Sequence, residues 1–488
     1  MLSLTVSEII HAAEGVLILG DPSSLVGAGS DTGKLADEPR WPPHGISIDT
    51  RTLQKGDVYF AVRGDRYDGH RFVNEAIRKG ASVCVISQMP PTLNINLSSV
   101  LGVIKVKDTR KALADISKYY RKKYGKNVFM VSVSGSCGKT TVKEMVVHIL
   151  KGFAPTIYSP GNHNNDVGCP VSLMAISPAF RYGVFELGVS AKGEVGRLAD
   201  MVAPSLALIT NINLEHTATF GSIKDIAEGE SEVLSYLPEN GIAVLPYEDD
   251  FFQFLKSKVP KNCRTVTYGF SEEADVCVTK ISVWPGPTGF KIIHKDAGGK
   301  VLHNFDCSLP VMGKFNVLNA CAAAAVSLAL DVPPDVIRDG LKKFSLPAMR
   351  FNVKQLESGA ILVDDSYNAN PGSMRVSLES FVECFPDKKR CLVLGDMLEL
   401  GEISRKEHYA LGEFVAKLPV SKVLLFGPQS HFVAEGARDS LQDEKTFTHC
   451  ADKDSLLKEV QSVISAGTAV IFKASRGMRL DEVIEKLA

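Results

Sequence analysis

The sequence predicts an α/β protein of three domains, built around a doubly wound parallel sheet. Short apolar, β-branched runs alternate with helical patterns through most of the chain, the mark of open parallel sheets. One of those runs ends in the turn Gly-Ser-Cys-Gly-Lys-Thr-Thr at 135–141. The length of 488 residues is more than one core can organise.

The first domain is expected at 1–107. It opens on an amphipathic segment that lacks the basic region of a signal peptide. The stretch 20–43 is rich in Gly, Ser, Asp and Pro and is predicted to be a surface loop. Strand-like runs follow at 46–48, 58–62 and 83–86, with a helical stretch at 72–79. Two polar clusters come directly after strands: Thr50 and Arg51 behind Asp49, and Asp68 and His70 in the run from Arg63. Hydroxyl, guanidinium and acid together suit a sugar nucleotide or a phosphate. A salt-bridged loop is the competing reading.

The second domain is expected at 108–346. It begins with a helical pattern from Thr109 to Tyr120 and then the glycine turn. Strands are predicted at 182–187, 206–210 and 242–245, and a buried alanine-rich helix at 319–330. The third domain, 347–488, alternates strands at 361–364, 391–394, 422–426 and 469–472 with helices. That pattern is Rossmann-like, but it has no GxGxxG and implies no cofactor of its own.

Composition excludes several classes. Fifty-five basic against 56 acidic residues give a net charge of −1, so no charge-driven binding to nucleic acid or a membrane surface is implied. The basic run Arg121, Lys122, Lys123 and Lys126 closes a helical pattern and suits a solvated helix end. Ten cysteines without a CxxC pair suit a reducing compartment and argue against disulfides or structural zinc. No apolar run reaches membrane-spanning length. A monomer in the cytoplasm, or in a plastid stroma, is expected.

The chemistry concentrates at strand ends. At 135–141 the order is strand, glycine turn, helix. Gly135 and Gly138 let backbone N–H groups approach a polyphosphate, and the helix N-terminus favours its charge. Lys139 can reach the β- and γ-phosphates, and the Thr140 hydroxyl can ligate Mg²⁺. The general pattern has a glycine where Val133 stands. Glu186 ends a strand, where a carboxylate can hold Mg²⁺ directly or through water. Asn211 and His216 follow another strand and can face the same crevice. The amide-rich run with Asn162 and Asn165 is either turn chemistry or a set of ligands. In the third domain the run from Asp364 through Asp365, Tyr367, Asn368 and Asn370 is dense enough to close over a nucleotide.

Taken in order, the segments 49–51, 68–70, 135–141, 161–170, 210–216, 316–319, 364–371, 395–401 and 473–476, with Glu186, resemble the Mur ligases of peptidoglycan synthesis over essentially the whole chain. The stretches Asp-Ser-Tyr-Asn-Ala-Asn-Pro and Gly-Asp-Met-Leu-Glu-Leu-Gly resemble the branch that adds D-alanyl-D-alanine. The resemblance implies an ATP-dependent amide ligase using Mg²⁺. The N-terminal domain would hold the UDP-sugar end of a UDP-muramoyl-tripeptide, the central one ATP, and the third would close over both. The tripeptide carboxylate would become an acyl phosphate, which the amine of D-Ala-D-Ala attacks.

The resemblance carries Gly135, Ser136, Gly138, Lys139, Thr140 and Thr141 to the phosphate loop, and Glu186 and His216 to the metal. It carries Asn316 and Asn319 to the adenine side, and Arg350 and Asp365 to phosphate and ribose. Thr50, Arg51, Asp68 and His70 in the first domain are candidate substrate-binding residues, as are Asn162 and Asn165 in the second. Tyr367, Asn368 and Asn370 are their counterparts in the third. Three positions depart from the family pattern: Phe315 stands for a histidine, Ser136 for a threonine, and Glu230 for a carbamylated lysine. A carbamate makes lysine an anion, and glutamate is one without modification. Glu230 is therefore expected to act beside Lys139 and His216 as a permanent metal-side carboxylate, its shorter arm calling for a bridging water or a shifted metal; the alternative is a second metal site weakened or lost. Two alternatives stay open: a Mur-type ligase adding a different amino acid, and a nucleotide-binding scaffold that has lost ligation.

Overall fold

The structure, a computed structural model, describes residues 4–20, 45–64, 67–90, 100–282, 287–440 and 446–487. The loop expected at 20–43 lies, after Gly20, outside the described residues. Sheets occupy three stretches of chain, 16–105, 129–309 and 352–473. Contacts divide the chain into two compact units. One comprises Met1–Ser132, Ala154–Gly188 and Arg197–Pro204, and the other Val133–Phe153, Val189–Gly196 and Ser205–Ala488.

In the first unit, helix Val6–Ala13 starts at a reciprocal cap. The Thr5 hydroxyl accepts from Glu8 N–H at 3.2 Å, and the Glu8 carboxylate accepts from Thr5 N–H at 2.9 Å. Five strands then order as Val16–Gly20, Gly102–Lys105, Val83–Ile86, Val58–Phe60 and Ile46–Ser47. All neighbours are parallel except the first pair. Val83–Ile86 is buried throughout, as a strand covered on both faces must be. The strand expected at 58–62 stops at Phe60, and the helix expected at 72–79 runs Val73–Arg78 behind a 3₁₀ turn at Gly69–Phe72. Asp108 caps helix Thr109–Tyr124, accepting from the N–H groups of Arg110 and Lys111. Arg121, Lys122 and Lys123 fill its last turn and complement the helix dipole. A parallel pair, Thr156–Tyr158 and Tyr182–Glu186, ends on Glu186.

Strand Phe129–Ser134 runs through the division and leads into the glycine turn. In the second unit Leu206–Ile209, Ile242–Pro246 and Arg264–Gly269 are parallel neighbours. Thr210 N–H donates to Ser134 O at 3.0 Å, which sets the 210–216 loop beside the turn. Three further strands, Val276–Ser282, Thr288–Lys295 and Val301–Leu309, continue as an antiparallel meander where the sequence predicts no strand. The reason is physical. Thr288–Lys295 alternates buried and half-buried positions, so its signal is weaker than the continuous apolar runs of parallel strands. The alanine-rich helix spans Lys314–Ala329 and packs on helix Lys139–Lys151 behind the turn.

The last sheet orders as Asn352–Gln355, Ile361–Asp364, Thr468–Lys473, Lys389–Gly395, Lys422–Phe426 and Thr446–Cys450, parallel after its first strand. Alternate residues enter opposite cores: Leu392 and Leu394 one, Cys391 and Val393 the other. That two-residue period with a core on each face is what a doubly wound sheet requires. It also gathers the carboxyl ends of three neighbouring strands, the loops after Asp364, Gly395 and Lys473, on one edge.

Candidate active site

The turn after Ser134 is a phosphate loop in backbone geometry as well as in sequence. Gly135 and Gly138 adopt φ of +112° and +82°, which L side chains rarely adopt. A Cβ at Gly135 would lie 2.3 Å from Thr210 Oγ1. Helix Lys139–Lys151 starts at Gly138 with no side-chain cap, leaving its first N–H groups for an anion. The 210–216 loop holds the turn in shape. Asn211 accepts from Cys137 N–H at 3.0 Å and donates to Cys137 O at 2.9 Å. Ser136 Oγ donates to Asn213 O and accepts from Asn213 N–H. Burial pushes the Cys137 thiol up to about 11, so it is a neutral filler at physiological pH.

Lys139 folds back on this loop. Its ammonium donates to Gly135 O and, at 3.3 Å, to Ser136 O. It also lies 3.5 Å from Glu215 Oε1 and 3.7 Å from Glu230 Oε1. Burial raises the Glu215 carboxyl well above the usual carboxylate range, with Lys139 opposing and Glu230 reinforcing the shift. Glu230 is fully buried. Its Oε2 accepts from Gly135 N–H at 2.7 Å and from the Ser134 hydroxyl. This residue therefore fastens the phosphate loop with one oxygen. Its other oxygen, Oε1, is buried without a hydrogen-bond partner.

Further side chains gather at the loop from the segment just before strand Asn352–Gln355, from helix Lys314–Ala329 and from the 210–216 loop. Arg350 donates to Thr140 Oγ1 at 2.9 Å, and its guanidinium stacks on the Tyr367 ring at 4.1 Å. Asn319 Oδ1 lies 2.8 Å from where a Cβ on Gly138 would be. His216, with φ of +47°, sets Nδ1 2.5 Å from Glu399 Oε2.

Several expected ligands have other work. Asn316 is fully buried and donates to Met312 O at 2.7 Å, while its oxygen receives Asn319. Through that oxygen it holds the Asn319 side chain. Both oxygens of Asp365 are engaged: Oδ1 accepts from Phe351 N–H, and Oδ2 from Ser377 and the buried Lys473 ammonium at 2.7 Å. With one donor on Oδ1, the carboxylate keeps room for a further hydrogen bond there. The Asn370 side chain caps helix Pro371–Cys384 and touches Cys137 Sγ at 3.2 Å, and Asn368 Oδ1 accepts from Ala369 N–H. Lys473 and Glu215 stand in the resembling segments 473–476 and 210–216, but the sequence implies no role for either on its own.

In the first unit, Asn165 accepts from the N–H groups of Val167 and Gly168, a local turn, and Asn162 is exposed. The side chain that reaches Glu186 is their neighbour Asn164, at 2.7 Å from Oε1. Glu186 Oε2 is buried without a partner. Arg51 pairs with Asp49 at 2.5 Å, the salt-bridged reading, and Thr50 is buried with its carbonyl accepting from Lys79. His70 is buried, with Nδ1 2.6 Å from Asp68 and Nε2 accepting from Ser87 N–H at 3.0 Å. Neither ring nitrogen is left for a ligand.

Among the described residues no group of three or more His, Cys, Asp or Glu side chains is arranged around a metal ion, and none of the ten cysteines is in a disulfide. No helix among the described residues is long and apolar enough to cross a membrane.

Fold and site together define an α/β nucleotide-phosphate-binding protein whose phosphate loop is completed by Arg350, just before a C-terminal sheet. Models of the Mur ligase middle domain, the Mur ligase glutamate ligase domain and the Mur ligase family catalytic domain match residues 133–327, 349–476 and 42–121. The chain is 33% identical to the UDP-N-acetylmuramoyl-tripeptide–D-alanyl-D-alanine ligase of Bacillus subtilis and 34% to that of Escherichia coli, each over 91% of this chain and 93% of the relative. The fold superposes on MurF from Acinetobacter baumannii with a TM-score of 0.84 and 28% identity, covering 99% of this chain and 98% of that one. MurF of Thermotoga maritima in complex with ADP gives a TM-score of 0.77 at 27% identity over 92% and 98%. The chain belongs to the Mur ligase family.

Proposed function

We propose that this chain uses ATP to join D-alanyl-D-alanine to a UDP-N-acetylmuramoyl-tripeptide, giving the pentapeptide, ADP and phosphate. The observation that carries the reading is the pairing of Arg350 with Thr140. A phosphate loop touched by a cation from the segment leading into a second sheet suits a ligase that must close over a reactive acyl phosphate, since water would hydrolyse it. Likeness to D-alanyl-D-alanine ligases over 91% of the chain supports the choice of substrates.

The residues divide the work. The uncapped N–H groups of helix Lys139–Lys151 receive the polyphosphate. Lys139 turns from the loop carbonyls toward the γ-phosphate and offsets the repulsion between it and the attacking tripeptide carboxylate. Arg350, held flat on Tyr367, adds a second cation. Asn319, beside Gly138 at the start of the helix, is placed to meet the nucleotide.

Mg²⁺ fits the donors present. Glu230 Oε1, which has no hydrogen-bond partner and lies 3.7 Å from the Lys139 ammonium, and the Thr140 hydroxyl are hard oxygens, with His216 on the neighbouring loop. Such an ion takes one or two carboxylates plus substrate phosphates, not an all-protein cage. When bound it would neutralise charge developing on the phosphates. We assign the domains to 1–107 for the UDP-sugar end, 108–346 for ATP and 347–488 for closure, in a cytoplasmic monomer.

The test is phosphate release from Mg-ATP with UDP-muramoyl-tripeptide, with and without D-Ala-D-Ala, and the product weighed by mass spectrometry. Release requiring both substrates, with the pentapeptide mass, is expected. ATP binding without release for any amine would overturn the reading in favour of a scaffold.

A further inference from the structure

Glu399 lies in the loop after strand Lys389–Gly395 and has no role so far. We propose that it is a positioning residue: supplied by the C-terminal domain, it fixes the ring of His216 and so makes completion of the phosphate site depend on that domain being in place. The proposal rests on the reading of His216 as a phosphate-side residue.

Three observations meet here. The first is the contact itself, Nδ1 to Oε2 at 2.5 Å. A carboxylate only accepts, so Nδ1 carries the hydrogen in this contact and the opposite ring edge, Nε2, is turned away from Glu399.

The second is backbone conformation. His216 and Glu399 adopt φ of +47° and +64°, left-handed values that neither residue favours. The surroundings impose both. Ala218 N–H donates to Glu399 O, the Thr217 hydroxyl donates to Leu400 O at 2.9 Å, and Gly401, at φ of +56°, lets the two loops touch at Ala218. On its own side the 395–401 loop is pinned by Met397 N–H to His408 Nε2 and by Leu398 N–H to Ser475 Oγ. Glu399 is 65% exposed, and an exposed pair returns less stability than two left-handed residues lose. The arrangement is not explained as a stabilising device.

The third is continuity. Glu215, the residue before His216, faces Lys139 at 3.5 Å. Three consecutive residues thus connect the C-terminal loop to the phosphate-loop lysine: Thr217 to Leu400, His216 to Glu399, Glu215 to Lys139. Strain held by over-determined contacts at a site is the form a positioning element takes.

The experiment uses the full-length enzyme. Glu399→Ala is expected to lower kcat about 10–100-fold, the range for loss of a partner that orients a site histidine, with the KM for ATP and the melting temperature little changed. Glu399→Gln, whose amide oxygen can still accept from Nδ1–H, should recover most of the loss. In a His216→Gln background, Glu399→Ala should add nothing. Independently of activity, ¹⁵N-histidine spectra should show the His216 signal, assigned by its absence in His216→Gln, as the Nδ1–H tautomer in wild type and as a tautomer mixture in Glu399→Ala. A wild-type kcat in His216→Gln overturns the reading of His216. An impaired His216→Gln beside a Glu399→Ala with wild-type kcat and unchanged tautomer overturns the proposal alone.

Discussion

The phosphate loop at 135–141 and the Asp68–His70 loop are both polar turns at strand ends, and they are built in opposite ways. Around His70 every ring nitrogen is satisfied from within: Asp68 on one side, Ser87 on the other, and Gln88 on the second Asp68 oxygen. Around the phosphate loop the satisfaction is incomplete. The helix start is uncapped, and Glu230 Oε1 is buried with no hydrogen-bond partner. Buried polar atoms in native proteins are nearly always paired. A carboxylate oxygen without a hydrogen bond, 3.7 Å from a lysine and beside an uncapped helix start, suits a place kept for a ligand, whereas a fully hydrogen-bonded histidine suits a scaffold. Residue type alone does not separate the two.

The largest effect that would break this contrast is at Lys139. Lys139→Ala should lower kcat about 10²–10³-fold, the scale for removing one preorganised cation or donor from a reacting phosphate, with the far-UV circular dichroism of the wild type. Activity within tenfold of wild type would mean that Lys139 belongs to the loop's structure only.

Glu230 sharpens the contrast, because it belongs to both categories at once. Glu230→Ala leaves Gly135 N–H and the Ser134 hydroxyl unsatisfied, and should cost about 1–3 kcal/mol of stability by denaturant titration. Glu230→Gln can keep one acceptor on Gly135 while losing the charge at Oε1. It should melt near wild type but need about tenfold or more Mg²⁺ for half-maximal rate, the scale for disturbing a metal site. Because glutamate needs no modification, wild-type activity should not change when bicarbonate and CO₂ are removed. A Glu230→Gln enzyme with full activity and wild-type Mg²⁺ dependence would confine Glu230 to its loop-fastening bonds.

The scaffold loop is tested by stability first. His70→Ala removes the acceptor of Ser87 N–H and the donor to Asp68, with an expected loss of about 1–3 kcal/mol, read as a lowered melting temperature. An unchanged melting temperature would mean that the internal network is not made, and would return His70 to the ligand candidates.

How much of this was readable beforehand follows the same line. The parallel strands were legible because burial on both faces writes an unbroken apolar run, as at Leu206–Ile209. The antiparallel meander at 276–309 was not, because half-exposed strands carry Lys291 and Lys295 between their apolar residues. The phosphate loop was legible because its glycines have a backbone reason. Asn316, Asp365 and Asn370 stood in the right motifs, yet their side chains hold neighbours in place. A motif fixes which residues gather, and only geometry tells which of them face outward. Glu215 and Glu399 stood in the resembling motifs, but their partners, Lys139 and His216, became visible only once loops far apart in sequence were set side by side.

The smallest expected effect concerns His408, a histidine buried for structure that contrasts with His216. Its ring supports the 395–401 loop: Nδ1–H donates to Ser404 O at 2.8 Å and Nε2 accepts from Met397 N–H at 3.0 Å. Burial lowers its pKa below the ordinary 6.5, partly opposed by the Ser404 carbonyl and Asp396. The folded state therefore holds it neutral at pH values where the unfolded chain takes up a proton. The unfolded state then binds more protons, so stability falls as the pH drops below 6.5 and levels off once the folded-state pKa is passed. The slope from one such group is at most about 1.4 kcal/mol per pH unit. Other histidines titrate in the same window, so the quantity to measure is a difference. Urea denaturation of wild type and His408→Gln between pH 5 and 7.5 should give stabilities that converge on acidification, with wild type ahead above pH 6.5. Parallel curves would mean that the ring titrates alike in the folded and unfolded chain, so that burial does not hold it neutral.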